Sequence, residues 1–118
     1  MASPSYAGPI VLITGPGAVS AAENFMMMLV GAGRVTVVGR TSAGTNGNIT
    51  GVQLPGGFSF SFTGMAVTFP DGSRFHGVGI VPDVEVQPTA ADYASRRDAE
   101  LLAAIQILRA KQPPVRTR

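Results

Sequence analysis

The strongest constraint on the fold is a continuous apolar run near the start of the chain, Pro9-Ile10-Val11-Leu12-Ile13-Thr14, which stops at Gly15-Pro16-Gly17. A short β-branched run between turn residues is typical of a strand that is buried on both faces. Apolar residues at helical spacing follow over residues 18–29, and residues 34–39 are strand-like again. Two such strands joined through a helix predict a β-α-β unit with a parallel pair.

The remainder of the chain alternates short elements with turns. Residues 41–48 are small and polar, which predicts a loop able to fit closely around another molecule. Short strands are predicted over residues 49–54, 58–62, 65–69 and 84–86, because Phe58, Phe60 and Phe62 alternate with serines and Pro/Gly turns separate the runs. A capping box from Ser95 to Asp98 and an apolar stripe predict a C-terminal amphipathic helix that ends near Lys111. The predicted fold class is therefore mixed α/β (α+β).

Length and composition restrict the chain to one small domain. Its 118 residues allow a modest core, predicted over residues 8–111 with flexible termini at 1–7 and 112–118. The absence of cysteine excludes a disulfide framework and a thiol nucleophile. No apolar stretch approaches the roughly 20 residues that cross a bilayer, and no secretory signal is recognisable, so no membrane span is expected.

Charge does not favour a nucleic-acid partner. The formal net charge is +2, and six basic residues crowd the last quarter of the chain. Apart from Tyr93 no aromatic residue is interleaved with them, so a stacking platform for single strands is missing. We interpret these charges as a solvated helix face and tail, and expect no nucleic acid.

The turn between the first strand and the first helix carries the main candidate chemistry, centred on Ser20. Glycines allow a sharp turn, and a helix N-terminus offers free N–H groups that stabilise an oxyanion. Ser20, flanked by small alanines, is thus placed to act as a nucleophile. The same residue also fits an ordinary helix cap, because Glu23 follows at the capping-box position.

The turn and its surroundings also allow a dinucleotide-binding interpretation and contain one candidate base. Gly15-x-Gly17-x-x-Ser20 with Arg40 after the next strand resembles a dinucleotide fingerprint, but the third glycine is absent and antiparallel-looking strands follow. His76 is the only histidine, so it is the candidate base for Ser20, although a lone histidine beside turns is often structural. One histidine and scattered carboxylates show no metal-ligand spacing, and no metal or cofactor is expected.

Three blocks in order resemble one known family. Ala18-Val19-Ser20-Ala21-Ala22-Glu23, residues 33–44 and residues 77–86 are similar to successive blocks in the C-terminal half of the tail-specific (C-terminal processing) serine peptidases of the S41 type. The resemblance covers about residues 8 to 110. It implies a ClpP/crotonase-like β-β-α core, with Ser20 as the nucleophile and the Ala21 N–H as an oxyanion donor. The loop with Thr41, Ser42, Gly44 and Thr45 is then expected to face substrate.

The resemblance also bears on the general base. In the Ser/Lys branch a lysine follows the second strand, whereas this chain has Thr45 there and its only lysine is Lys111. The chain is thus closer to the branch similar to tricorn protease, in which a histidine upstream of the nucleophile is the base. In that branch an acidic residue often precedes the Gly-Val-Gly-Ile block, where this chain has His76.

Two functions remain open at this point. One is a serine hydrolase that cleaves a peptide or ester through a seryl intermediate, as a fragment of a larger peptidase whose upstream half is missing and with weak or no activity alone. The other is a non-catalytic module that self-associates or binds peptides. An exposed sheet edge predicts a homo-oligomer, either a dimer or a strand-exchanged form, in both cases. An extracytoplasmic parent protein is an expectation for which this chain carries no signal.

Overall fold

A computed structural model describes residues 6–111. Of the termini predicted to be flexible, 1–7 and 112–118, residues 1–5 and 112–118 lie outside the described residues. No helix in this described part of the chain is both long and apolar enough to span a bilayer. The elements follow the order β1 (Ile10–Thr14), α1 (Ala21–Gly31), β2 (Val35–Gly39), β3 (Ile49–Gln53), β4 (Ser59–Thr63), β5 (Val84–Glu85), α2 (Ala90–Ala94) and α3 (Ala99–Lys111).

The first sheet has the order β1-β2-β5, and both strand pairs are parallel. Leu12 lies opposite Val37 in the register of β1 and β2, while Val38 lies opposite Val84. The β-α-β unit predicted from the apolar runs is confirmed. Its consequence is that the carboxyl ends of β1 and β2, at Thr14 and Gly39, lie side by side at one edge of the sheet.

The core lies between α1 and one face of this sheet. Met26, Val37, Phe75 and Ile80 form its buried cluster, and Leu12 packs against it. Phe75 is fully buried and meets Phe69 edge to face, with ring centroids 5.2 Å apart. The segment before β5 thus contributes as much to the core as the helix does.

The opposite face of the sheet is covered by α3. Residues alternate along a strand, so Thr36 and Val38 face away from the Val37 cluster. Val38 is fully buried, Ala104 of α3 is buried, and Lys111 Nζ donates to Thr36 Oγ1. The predicted C-terminal helix is confirmed and covers the second face of its own sheet.

The start of this helix differs from the prediction. Asp98 Oδ1 accepts from the Leu101 N–H over 2.8 Å and caps α3, whereas Ser95 is the C-cap of the unpredicted helix α2. The capping box in this region belongs to α2, where Thr89 and Asp92 form it. The prediction of a capping box from Ser95 to Asp98 is therefore wrong, because the Ser95 hydroxyl donates to the Ala91 carbonyl of the preceding helix.

A separate antiparallel hairpin, β3 with β4, forms the second sheet. Thr50 faces Phe62 and Val52 faces Phe60, so one face of the ribbon is apolar and the serines lie on the other. Alternation of this kind is typical of a strand with one buried face, yet Phe60 and Phe62 are 50% and 48% exposed and every residue of β4 is exposed. Similarly, the strand predicted over residues 65–69 is reduced to a single bridge between Thr68 and Arg74.

Candidate active site

The corner between β1 and α1, residues 15–20, is called the Ser20 corner below. Ser20 is the N-cap of α1 and has φ 51° and ψ −112°. A non-glycine residue adopts this conformation only when its surroundings enforce it, and such residues cluster at functional sites. A sharp strand-to-helix turn of this kind exposes the hydroxyl of a nucleophilic serine, and Ser20 is exposed.

Two hydrogen bonds of its backbone N–H hold Ser20 in place. The N–H donates to the Thr45 carbonyl over 3.0 Å and to Glu23 Oε2 over 3.1 Å. Ser20 and Glu23 thus have the arrangement of a capping box, although the Ser20 hydroxyl does not meet the geometry of a hydrogen bond to the N-terminal N–H groups of α1. The helix-cap interpretation and the nucleophile interpretation of Ser20 therefore describe the same corner, and the hydroxyl is left available.

The next amide along the chain, that of Ala21, is the candidate oxyanion donor. Ala21 is the first residue of α1, and within residues 6–111 its N–H donates to no partner, whereas the Ala22 N–H bonds to the Val19 carbonyl. The first N–H groups of a helix carry its positive dipole end. A developing negative oxygen next to Ser20 would therefore be stabilised by the Ala21 N–H.

Glu23 is the residue of this site that the sequence showed only as a capping partner. Its side chain is fully buried. Oε1 accepts from Ser42 Oγ over 2.6 Å and from the Gly44 N–H over 2.7 Å, while Oε2 also accepts from the Thr45 N–H over 3.1 Å. The three-residue spacing to Ser20 revealed one of these bonds, but the partners about 20 positions away left no local signal.

The loop expected to face substrate is split between surface and interior. Thr41 and Thr45 are exposed, whereas Ser42 and Gly44 are buried. Ser42 N–H donates to the Ile80 carbonyl and the Gly77 N–H donates to the Gly44 carbonyl. Ser42 and Gly44 therefore have their polar groups satisfied inside the protein, so the structure leaves only Thr41 and Thr45 of this set open to another molecule.

His76 is bonded to a different part of the chain from Ser20. Its Nε2 accepts from the Val67 N–H over 3.0 Å, its ring lies edge-on to Phe75, and it is only half-exposed. Within residues 6–111 no hydrogen bond connects it with Ser20. The Nε2 nitrogen is thus occupied by a backbone hydrogen bond, and the role of His76 as the base stays a prediction.

The remaining charges near the corner are paired. Arg40 Nε donates to Glu100 Oε1 over 3.0 Å, and this pair lines a shallow cleft beside the Gly15–Ala18 turn. An arginine engaged in this way does not favour the dinucleotide alternative, and the chain continues from β2 into a hairpin instead of a further β-α unit. Among residues 6–111 no group of three or more histidines and carboxylates is arranged to hold a metal.

Comparison with known proteins places this geometry in a family. The family model of Peptidase family S41 matches residues 2–86. The structure of a peptidase candidate from Parabacteroides merdae is 31% identical with a TM-score of 0.81. The match covers 93% of this chain and 36% of the Parabacteroides chain. The structure of tricorn protease is 29% identical with a TM-score of 0.73, and the match covers 86% of this chain and 10% of the tricorn chain. An uncharacterized protein of Chlamydia muridarum is 32% identical over 106 residues, 87% of this chain and 18% of its own length.

The chain belongs to peptidase family S41. The mixed α/β fold and the resemblance to these peptidases are confirmed. The chain spans only 18% of the length of the curated relative that it matches and about a third of the Parabacteroides structure. The finer expectation of a ClpP/crotonase-like core stays a prediction.

Proposed function

We propose that this chain carries the nucleophile and one oxyanion donor of a serine peptidase, with Ser20 and the Ala21 N–H in these roles. The observation that carries the proposal is the left-handed backbone of an exposed serine at a strand-to-helix corner. Membership of family S41 supports peptide substrates as the class. Thr41 and Thr45, exposed on the neighbouring loop, are the residues of that loop proposed to meet the substrate.

In the proposed reaction, Ser20 Oγ attacks the carbonyl carbon of a peptide or ester and forms a bond to it. The hydroxyl proton passes to a general base, and the carbonyl oxygen gains the negative charge that the Ala21 N–H stabilises. Collapse breaks the bond to the leaving amine or alcohol, which takes the proton back from the base. Water then attacks the carbonyl carbon of the seryl ester and gives its proton to the same base. The bond to Ser20 Oγ breaks, Oγ takes the proton back, and the acid product leaves.

The base is proposed to come from a part of the protein outside this sequence. Nε2 of His76 is bonded to the Val67 N–H, no hydrogen bond within residues 6–111 joins His76 to Ser20, and both oxygens of Glu23 already accept from other donors. The resemblance to the tricorn-type branch suggests a histidine upstream of the nucleophile. This arrangement is consistent with the small share of each relative that the chain covers.

The test is intact-mass analysis of the purified chain after exposure to a fluorophosphonate, with Ser20→Ala as the control. We expect one label per chain, at a slow rate because the base is missing, and no label on the Ser20→Ala variant. A matched His76→Ala variant should label at an unchanged rate. Absence of label on a folded wild-type chain would contradict nucleophilic competence of this chain alone.

The non-catalytic module stays the second candidate, because the apolar face of the β3–β4 hairpin is exposed. In that case Ser20 only caps α1, and Ser20→Ala costs about 0.5–2 kcal/mol of stability with no labelling in either form. A homo-oligomer fits both candidates. Covalent labelling therefore separates the two functions, and the oligomeric state does not.

A further inference from the structure

We propose that Glu23 is a positioning residue for Ser20, whose buried carboxylate locks the Ser20 corner to the loop that follows β2. The inference rests on the proposed role of Ser20 as nucleophile. It assigns Glu23 a task beyond capping α1. Four donors converge on its two oxygens, one from the corner and three from the loop.

The burial of Glu23 shows that these donors are required. The residue has no accessible surface, and neither of the ion pairs within residues 6–111 includes it. A buried carboxylate without a cationic partner is tolerated only when hydrogen-bond donors replace its water. The donors and the N-terminal dipole of α1 supply that replacement, so the carboxylate and the surrounding backbone depend on each other.

The hydrogen bonds form a closed circuit through the nucleophile. Thr45 donates its N–H to Glu23 and accepts the Ser20 N–H at its carbonyl, while Glu23 accepts from Ser20 as well. Any shift of the carboxylate thus moves Ser20 through two routes. Ser42 extends the circuit, because its Oγ donates to Glu23 and accepts from the Ile80 N–H over 2.8 Å.

A second carboxylate in the chain shows what ordinary capping requires. Asp92 occupies the same third helical position in the capping box of α2 and is also buried. Its oxygens bond to the Thr89 N–H and hydroxyl and to Arg97, all within five positions. Glu23 reaches up to 22 positions along the chain, and this difference makes Asp92 the matched control.

Substitution Glu23→Gln tests the inference with little change of shape. The amide keeps one acceptor oxygen but turns an NH₂ group toward backbone N–H groups or the Ser42 hydroxyl. A backbone N–H on the NH₂ side then loses its acceptor and faces another donor, whereas the Ser42 hydroxyl is able to turn and accept from the NH₂ group. The corner and the loop should loosen while the parallel ladder of β1 and β2 remains formed.

The experiment follows amide hydrogen exchange by NMR in wild type, Glu23→Gln and Asp92→Asn. In Glu23→Gln we expect exchange to accelerate by about tenfold or more at the loop amide that loses its acceptor, which is Gly44 when the NH₂ group replaces Oε1 and Thr45 when it replaces Oε2, with the ladder amides of β2 changed by less than about twofold. Asp92→Asn should leave both loop amides unchanged. Equal acceleration at the loop amide and in β2 would overturn the inference, because it would show a general loss of stability.

Fluorophosphonate labelling of the same variants supplies the second readout. If Glu23 positions the nucleophile, Glu23→Gln lowers the maximal labelling rate of Ser20 and leaves the reagent concentration at half-maximal rate unchanged. An unchanged maximal rate in Glu23→Gln overturns the positioning role. If the wild type is not labelled at all, the proposed function of this chain alone fails, while the exchange experiment still decides whether Glu23 locks the corner.

Discussion

The surroundings of the Ser20 corner and the β3–β4 hairpin differ in which side chains they bury, because the first encloses a polar side chain and the second exposes apolar ones. Next to the corner, in the first turn of α1, the carboxylic acid side chain of Glu23 is fully buried, while on the hairpin Phe60 and Phe62 are about half exposed. Hydrogen bonds join the corner to the loop after β2, with the Ser20 N–H donating to the Thr45 carbonyl and the Ala43 N–H donating to the Ala18 carbonyl, whereas the strand pairs of the hairpin lie within residues 49–63. Long-range partners, more than residue type, decide which side chains this small protein encloses.

The largest expected effect comes from the same substitution made at two phenylalanines. Phe75→Ala removes a fully buried ring from the core cluster and should lower the free energy of unfolding by about 3–5 kcal/mol. Phe60→Ala removes a half-exposed ring and should cost less than about 1 kcal/mol. Urea titration of both variants measures the difference, and equal losses would show that the hairpin face is covered by protein in solution.

A smaller effect is expected at two glycines that share a positive φ. Gly39 ends β2 with φ 117°, and a Cβ there would lie 2.2 Å from the Thr14 carbonyl oxygen, so Gly39→Ala should cost about 3 kcal/mol or more. Gly57 in the hairpin turn has φ 82° and nothing within 4 Å, so Gly57→Ala should cost about 1 kcal/mol. Thermal melts monitored by circular dichroism would refute the steric argument if the two alanine variants melted together.

The smallest effect concerns the stability of the protein at acid pH, to which the buried carboxylate of Asp92 contributes. The Thr89 hydroxyl and N–H, helped by Arg97, hold the pKa of Asp92 below its ordinary range. A lowered folded-state pKa stabilises the protein above the unfolded value near 4 and loses that contribution as the pH falls through the folded value. Wild type should therefore lose its stability advantage over Asp92→Asn below about pH 4. Parallel stability curves of the two proteins at acid pH would contradict this assignment.

The sequence predicted the parts of the fold that have local patterns. The apolar runs of β1 and β2 and the helical spacing of α1 were sufficient for the parallel unit, and the order of three blocks was sufficient for the family. The period of two in Phe58, Phe60 and Phe62 predicted a strand correctly but not its exposure, because alternation marks an apolar face without showing what covers it.

The candidate site was only partly accessible from the sequence. Ser20 and Ala21 follow from a turn and a helix start, which are local features. The partners of Glu23 and of His76 lie in other segments, so no spacing rule shows that one carboxylate joins four donors or that Nε2 of the histidine is already bonded. Where the role of a residue depends on a backbone group far away in the sequence, that role becomes visible only in the folded structure.

The tip of the hairpin offers a practical handle on this protein. Gly56 and Gly57 form a turn closed by the bond from Leu54 N–H to the Phe58 carbonyl over 2.8 Å, and the space around Gly57 is open. Exposed tips of this kind tolerate inserted peptides and attached dyes. A tether or fluorophore placed there would allow immobilisation and single-molecule observation while the bonds around Ser20 stay intact.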